Sequence, residues 1–348
     1  MRTAIAVDSL LSRDEAVFLL ELVLNLFPNS EIYTIAHKRG GILGQIETRP
    51  IVSSYLTHKV QNLEDFKKSL WILPSAIKGI PLHKSIEKVI VLSRGYVHSL
   101  KLPENVERFL YIVDWDMINQ SEIKGWRKWF LPYVNESRLK ALTQFPQIAV
   151  SSQALAKRLE LPNAQVIYPT FRTEEYPFVK DEDHNFEFDH HLVYTHGMTR
   201  EEFWKLVNYI ISQGDLVRVM GPDEDKKDLF ANNPKVDFAG DHCEATAAMY
   251  SHKAKVIWDM SKSFFPAKAF GALCTGRPVV VRDNEINREF LVEGAYFLDL
   301  EQNLESIFKK ANSEFLSFDR RSLRRKGLRW NERLFKSKMT QFFERDND

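Results

Sequence analysis

The chain has 348 residues, of which 44% are hydrophobic and 12% aromatic, enough apolar material for two or three packed domains. Its formal net charge of +1 excludes binding of nucleic acid through bulk charge, so we expect no nucleic-acid partner. No run of about 18 apolar residues occurs, which predicts the absence of a membrane-spanning helix. Cys243 and Cys274 lie in unrelated segments and no signal peptide is recognisable, so we expect a cytoplasmic protein.

Apolar runs of strand length alternate with amphipathic segments through the first half of the chain. Strands are predicted at 3–7, 31–35, 51–53, 88–92, 109–113, 147–150 and 165–167. Helices are predicted at 15–27, 62–73, 126–142 and 151–159, the first of them capped by Ser12 or Asp14. This alternation is typical of a doubly wound parallel sheet.

The pattern stops in a proline-rich and charged stretch and then starts again. Further strands are predicted at 191–194, 216–220, 235–240, 255–258, 278–281 and 296–298. Further helices are predicted at 200–213, 245–252, 300–312 and 321–343, with one more around Lys268. We therefore expect an N-terminal domain at 1–172, a linker at 173–190, a C-terminal domain at 191–320 and, at 321–348, a final helix that returns to the first domain.

The segment 259–290 carries the most informative pattern. A strand-like run ends in a loop of small residues, a helix follows, and Gly276 and Pro278 separate that helix from another buried strand. In such units ligands collect at the carboxyl ends of the strands, where helix N-termini attract anions. The loop from Met260 to Lys268 is therefore the expected binding region.

This segment resembles the donor-binding core of family-4 retaining glycosyltransferases, whose pattern is approximately E-x-F-G-x-x-x-x-E-A-x-A-x-G-x-P-V. Phe265, Ala272, Gly276, Pro278 and Val279 fall in step with it. Three further segments, 20–34, 148–161 and 166–178, resemble other stretches of the same family. The resemblance covers nearly the whole chain. It implies an α/β protein of the GT-B fold, with two Rossmann-like, doubly wound parallel-sheet domains and a C-terminal crossing helix.

The resemblance also implies a site for the donor phosphates in the C-terminal domain. His196, Gly197 and Arg200 occupy the loop where the family holds a nucleotide diphosphate with a basic pair, and Gly221 lies in its second glycine turn. Lys268 stands where many relatives have a phosphate-binding lysine. The residues alone leave a second interpretation open, in which Arg200 and Lys268 are solvated surface cations.

Two positions of the pattern lack the glutamates that touch the donor in the family. Ser263 stands where a carboxylate would contact the sugar, and Gly271 where one would hold the ribose. Asp241 and His242 follow a predicted strand at the expected base pocket, although a surface histidine is the alternative. The resemblance therefore supports the fold more than the chemistry, and no catalytic residue is assigned.

The N-terminal domain departs from the family at its acceptor side. Asp14 lies in a segment without the family's glycine loop, and the histidine expected after the fifth strand is absent. Asp114, Trp115 and Asp116 follow that strand instead, and an aromatic ring flanked by carboxylates can stack on a sugar and bind its hydroxyl groups. The alternative is a helix-capping Asp beside a core Trp.

Two functions are compatible with these observations. The first is retaining transfer of a sugar from a nucleotide-sugar to a glycan or lipid-linked acceptor, as in polysaccharide biosynthesis, with the nucleotide-sugar as substrate and no cofactor or metal. The second is a catalytically degenerate GT-B module that binds a nucleotide, a glycan or a protein. A sugar-nucleotide epimerase of the same fold is a third, remoter alternative. The basic segment 320–330 suggests a peripheral contact with the inner membrane face. The alternative is that this segment is a helix face exposed to solvent.

Overall fold

A computed structural model of the chain describes residues 2–42, 44–118, 120, 123, 125–178, 189–240, 244–291 and 294–344, with only the backbone at 244 and 245. The chain forms two compact units. Unit 1 comprises residues 1–169 and 333–348, and unit 2 comprises residues 170–332. The described part of the predicted linker is residues 173–178 and 189–190, and its remainder lies outside the described residues.

Unit 1 is built on a parallel sheet of seven strands in the order β3-β2-β1-β4-β5-β6-β7. The strands are β1 (Thr3–Leu10), β2 (Glu31–His37), β3 (Ile51–Ser53), β4 (Lys88–Ser93), β5 (Glu107–Ile112), β6 (Gln147–Val150) and β7 (Gln165–Val166). β1 and β4 are almost entirely buried, and their central residues, 4–7 and 89–92, are continuous apolar runs rather than alternating ones.

Five helices of unit 1 connect these strands. They are α1 (Glu15–Leu26), α2 (Leu63–Lys68), α3 (Leu73–Lys78), α4 (Leu131–Leu142) and α5 (Gln153–Arg158). The helix predicted at 126–142 is divided, because Pro132 opens α4 and the residues before it, Gly125–Phe130, form a 3-10 helix. Asp14 and Ser152 cap α1 and α5 through their side chains.

The last helix, α12 (Glu332–Phe343), completes the core of unit 1. The ring of Phe342 lies 5.5 Å from that of Phe109 on β5, and the ring of Phe343 lies 5.3 Å from that of Phe27. Lys88 donates a hydrogen bond to the carbonyl of Phe343 at 3.3 Å. The apolar face that the sequence leaves without a partner is therefore buried against the first unit's sheet.

Unit 2 is built on a parallel sheet of six strands in the order β10-β9-β8-β11-β12-β13. The strands are β8 (His190–Tyr194), β9 (Val217–Met220), β10 (Val236–Gly240), β11 (Ala254–Asp259), β12 (Val279–Arg282) and β13 (Ala295–Leu298). The helices are α6 (Arg200–Ser212), α7 (Glu244–Lys253), α8 (Ala267–Cys274), α9 (Glu285–Phe290), α10 (Leu304–Glu314) and α11 (Arg320–Gly327). The two separate parallel sheets confirm the prediction of two Rossmann-like domains.

The C-terminal helix predicted at 321–343 is in fact two helices in different units. α11 packs on α8 so closely that a Cβ atom built on Gly327 would lie 2.7 Å from Cys274 Sγ. Arg324 donates to the carbonyl of Cys274 at 2.9 Å and Arg320 to that of Thr275 at 3.2 Å, which caps the C-terminus of α8. Part of the basic segment is therefore used inside unit 2.

No helix in the described ranges is both long and apolar enough to cross a bilayer. Among the described residues, the structure likewise contains no group of three or more His, Cys, Asp or Glu side chains arranged to bind a metal ion.

His98 offers a test of the packing of unit 1. Its Nε2 donates to the carbonyl of Arg138 at 2.9 Å, so in the neutral ring Nδ1 is the acceptor and faces Ser93 Oγ at 2.8 Å. Burial lowers the pKa of His98 from 6.5 to about 3. Between pH 6.5 and about 3, the unfolded chain binds a proton at this histidine and the folded unit does not. The free energy of unfolding therefore falls by about 1.4 kcal/mol for each unit by which the pH is lowered in this range.

The slope of the unfolding free energy against pH, between about pH 4 and pH 6.5, reports this extra proton. We therefore expect His98→Gln to lower that slope by the contribution of about one proton. Urea unfolding at several pH values measures this slope. His58→Gln, at an exposed histidine, is the matched control and should leave the slope unchanged. A ring of His98 that titrates near pH 6.5 in NMR spectra of the folded protein would contradict the account.

Candidate nucleotide-binding site

The strand order of unit 2 reverses between β8 and β11, which lie side by side at the centre of the sheet. The chain leaves β8 toward β9 on one side and leaves β11 toward β12 on the other. The loops that follow these two strands, 195–199 and 260–266, therefore emerge next to each other at the carboxyl edge. In open parallel sheets such a switch point is the usual place for a ligand.

Two glycines allow the loops of this edge to approach one another. Gly197 has φ +69°, and a Cβ atom built on it would lie 3.0 Å from the backbone N of Lys262. Gly221 has φ +109°, and its Cβ would lie 2.7 Å from His196 Nδ1. Three predicted site residues, His196, Gly197 and Gly221, are thus brought together with the loop after β11, in backbone conformations that favour glycine.

The N-terminus of α6 is closed by protein groups. Thr199 and Glu202 form a capping box, in which each side chain accepts a hydrogen bond from the other's backbone N–H. Glu202 also accepts from Arg282 Nη1 at 2.8 Å. Burial raises the pKa of Glu202, but the hydrogen bonds from Arg282 and from the backbone of Thr199 outweigh it and leave that pKa below its usual value.

The guanidinium of Arg200 is already engaged by groups of the segment that follows β9. Its guanidinium forms a bidentate ion pair with Asp228, including a 2.7 Å contact to Oδ1, and it donates to the carbonyl of Asp225. Both partners lie after β9. The predicted phosphate-binding role of Arg200 remains a prediction, and an incoming phosphate would compete with the Asp228 carboxylate for the same donors.

The N-terminus of α8 has a different character. Pro266 occupies its N-cap position and makes no side-chain hydrogen bond to the first turn, where the N–H of Ala267 donates to the carbonyl of Phe265 at 2.9 Å. Lys268 lies in that turn and is half-buried. Ser263, in the preceding loop, donates its hydroxyl hydrogen to the carbonyl of Phe265 at 2.7 Å. A cation and an uncapped helix end therefore lie together at the carboxyl edge, as an anion site requires.

The sequence interpretation missed two charged residues at this edge. Asp259 ends β11 and Arg282 ends β12, and both belong to neighbouring strands of the sheet. Asp259 Oδ2 and Arg282 Nη2 are buried and have no hydrogen-bond partner in the described residues. Buried polar atoms without partners are costly and rare, which marks them as groups that a ligand or water can satisfy. The sequence signal that could have identified them is that each is the last residue of a strand, at the edge where ligands bind.

Gly271 explains why the family's second glutamate has no counterpart here. The ring of Tyr176 fills that place, because a Cβ atom built on Gly271 would lie 2.3 Å from Tyr176 Cε1 and 2.4 Å from Cζ. Tyr176 is itself buried and packs edge-on against Phe171, with the ring centroids 5.9 Å apart. A carboxylate at position 271 is thus excluded by the aromatic packing of unit 2.

Unit 1 has its own switch point, between β1 and β4, and a charged cluster occupies it. Asp8 Oδ1 accepts hydrogen bonds from the backbone N–H of Tyr96 and Val97, both at 2.9 Å. Arg94 Nη1 contacts Asp14 Oδ2 at 2.7 Å, and Arg94 Nη2 lies 3.6 Å from Asp114 Oδ2. Two predicted acceptor-side residues, Asp14 and Asp114, are therefore held by Arg94, which the sequence interpretation did not identify.

The expectation that Trp115 offers a stacking face to a sugar is corrected by its burial. Its side chain is 8% exposed and lies between the ring of His98, at 5.2 Å, and the guanidinium of Arg138, at 4.2 Å. Asp116 forms an ion pair with Arg158 and is accessible. Asp241 and His242, the predicted base-pocket residues, lie outside the described residues.

Two Rossmann-like parallel-sheet units, with the last helix returned to the first, define the GT-B fold, and the chain has this fold. Among solved structures, sucrose-phosphate synthase from Thermosynechococcus elongatus superposes with a TM-score of 0.69 at 14% identity, covering 99% of this chain and 98% of that one. No protein-family model and no curated protein matches the sequence.

Two further structures are similar in the same way. The Anabaena protein Alr3699/HepE, solved in complex with UDP, has a TM-score of 0.69 and 10% identity, covering 98% of this chain and 99% of that one. A glycosyltransferase from Rickettsia africae has a TM-score of 0.62 and 12% identity, covering 99% of this chain and 98% of that one. At these identities the comparisons establish the fold alone.

The contact between Gly271 and Tyr176 gives a sharp test of the packing at the site. We expect Gly271→Ala to lower the free energy of unfolding of unit 2 by about 1–3 kcal/mol, because the new methyl group overlaps the ring. In a Tyr176→Ala background the same change should cost little, since the ring is gone. Urea unfolding of the four proteins of this double-mutant cycle measures the coupling.

Gly79→Ala is the matched control, since the nearest atom to its Cβ would be the Ser75 carbonyl oxygen at an ordinary 3.4 Å. Equal costs of Gly271→Ala with and without the tyrosine ring would show that Tyr176 does not exclude a side chain at position 271.

Proposed function

We propose that the protein is a glycosyltransferase, which moves a sugar with retention from a nucleotide-sugar to a glycan or lipid-linked acceptor. The observation that carries the proposal is the carboxyl edge at the switch point of unit 2. There two positive-φ glycines, an uncapped helix N-terminus and Lys268 occur together. The presence of UDP in the similar HepE structure supports a nucleoside diphosphate as the ligand of this edge.

Each group of the edge has a role in the proposal. The backbone at Gly197 and Gly221 lets the diphosphate approach the sheet, because no side chain intervenes. Lys268 and the first turn of α8 stabilise the negative charge that develops on the leaving diphosphate, the kind of contribution that usually dominates such catalysis. Arg282 Nη2 and Asp259 Oδ2 supply a buried donor and a buried acceptor for the sugar or the nucleotide.

The alternative is a GT-B module that has kept nucleotide binding and lost transfer. The absence of carboxylates at Ser263 and Gly271 motivates it, since these positions contact the sugar and the ribose in the resembling family. Under either proposal the ribose has no carboxylate partner at position 271. We therefore attribute the binding energy chiefly to the diphosphate and the base.

Replacement of Lys268 tests the location of the phosphates. A charge-assisted hydrogen bond to phosphate contributes roughly 1.5–3 kcal/mol, so we expect Lys268→Ala to weaken UDP binding by about tenfold or more. Arg200→Ala should weaken it less, because Asp228 already holds that guanidinium. Isothermal titration with UDP measures both variants.

Lys253→Ala is the matched control, because this exposed lysine ends α7 at the opposite, amino end of β11. Its affinity for UDP should equal that of the unchanged protein, and 2′-deoxy-UDP should bind about as well as UDP. Unchanged affinity in Lys268→Ala, or strong discrimination against the deoxynucleotide, would place the site elsewhere.

Activity separates the two proposals once binding is established. Incubation of the protein with UDP-sugars and candidate acceptors should release UDP and form a product with the donor's anomeric configuration. Binding of UDP without release or transfer, across a panel of donors and acceptors, identifies the binding module instead. Conversion of the sugar nucleotide without any acceptor would indicate an epimerase.

A further inference from the structure

Unit 1 exposes a group of aromatic side chains, which we call the aromatic patch. It comprises Trp71, Trp126, Trp129, Phe130 and Tyr133, with exposed fractions of 43%, 54%, 85%, 38% and 55% respectively. The ring of Trp71 lies 6.0 Å from that of Trp126 and 6.3 Å from that of Phe130. Trp129 and Tyr133 lie close to Trp126 and Phe130 in the chain, and a group of exposed apolar side chains of this size marks an interaction site rather than a chance exposure.

The segment that carries four of the five rings is basic. The segment 125–133 carries Arg127 and Lys128 and no acidic residue. The guanidinium of Arg127 lies 5.5 Å from the centre of the Trp126 ring. Trp and Tyr rings favour the interface between water and lipid, and neighbouring cations favour an anionic surface, so this composition fits an anionic bilayer better than a protein partner.

A groove of about 650 Å³ adjoins the patch through Tyr133, which lines it. Lys78, Lys101 and Lys140 also line the groove, together with Glu136, which pairs with Lys140 at 2.6 Å. With three lysines and one glutamate, the lining carries two more positive than negative charges. A groove of this size and charge, next to exposed aromatic rings, can receive a phosphorylated headgroup.

We propose that the aromatic patch docks unit 1 on an anionic lipid bilayer, with the rings at the level of the headgroups and the basic groove against lipid phosphates. The patch belongs to unit 1, whereas the basic segment 320–330 belongs to unit 2, where Arg320 and Arg324 bind carbonyls of α8. The docking is independent of the proposed sugar transfer, because it requires neither a nucleotide nor the site of unit 2.

Flotation of the full chain with vesicles tests the proposal. One set contains phosphatidylcholine alone, and the other contains phosphatidylcholine and phosphatidylglycerol in equal amounts. We expect the protein to float with the anionic vesicles, and the double variant W126Q/W129Q to lose binding by about tenfold or more. The variant R127Q/K128Q should lose the preference for the anionic vesicles. Trp204→Gln is the matched control, because Trp204 is 48% exposed on α6 of unit 2, and it should bind unchanged.

Brominated acyl chains provide a second readout that needs no variant, since they should quench part of the tryptophan fluorescence of the unchanged protein. Absence of both flotation and quenching would overturn the proposal, as would flotation that W126Q/W129Q leaves intact. Self-association of the unchanged protein that W126Q/W129Q abolishes, without vesicle binding, would assign the patch to a second copy of the chain and also overturn it. If W126Q/W129Q loses thermal stability, the binding of R127Q/K128Q to anionic vesicles and the quenching of the unchanged protein decide. An unchanged preference of R127Q/K128Q for anionic vesicles, or no quenching, would then overturn the proposal.

Discussion

The order reversal of the second sheet is the constraint on which the candidate site depends. Because β8 and β11 are adjacent and their following helices diverge, the loops after both strands are left open at one edge. Gly197 and Gly221 then allow the backbone of one loop to contact the next, at distances that a side chain would forbid. The helix ends, Lys268 and Arg282 acquire a common location only through this arrangement.

Aromatic packing fills the space beside Gly271, the position where the resembling family has a carboxylate. Tyr176 occupies the space beside Gly271, and its ring belongs to a cluster that includes Phe171. No residue other than glycine fits at position 271 while this ring is in place. The buried atoms of this edge that have no hydrogen-bond partner in the described residues include Asp259 Oδ2 and Arg282 Nη2. Neither residue has a counterpart among the positions of the resembling pattern that contact the donor.

The strands and the fold were predictable from the sequence because buried parallel strands are continuous apolar runs with capped helices between them. β6, for example, has the predicted bounds of 147–150. The division of the last helix at 328–331 was not predicted, since its apolar spacing continues through both parts. A 3-10 turn, Leu328–Trp330, and an extended backbone at Asn331 separate α11 from α12.

The side-chain contacts of the site were harder to predict from the sequence than the fold. Arg200 and Lys268 both lie in the first turn of a helix, yet the sequence does not show that Asp228 pairs with Arg200, or that Pro266 leaves the turn of Lys268 without a side-chain cap. Trp115 is flanked in the sequence by two carboxylates, as expected of a ring that stacks on a sugar, but its ring packs against His98 and Arg138. Contacts of this kind join residues far apart in the chain, so a local pattern does not report them.

Hydrogen exchange with and without UDP tests the central claim most directly, because it reports where the nucleotide binds without any substitution. The account predicts that UDP slows exchange in segments 195–200 and 260–270 of unit 2, with little change at 8–14 and 94–97 of unit 1. Slowed exchange confined to unit 1, or no change at the two loops under saturating UDP, would contradict it.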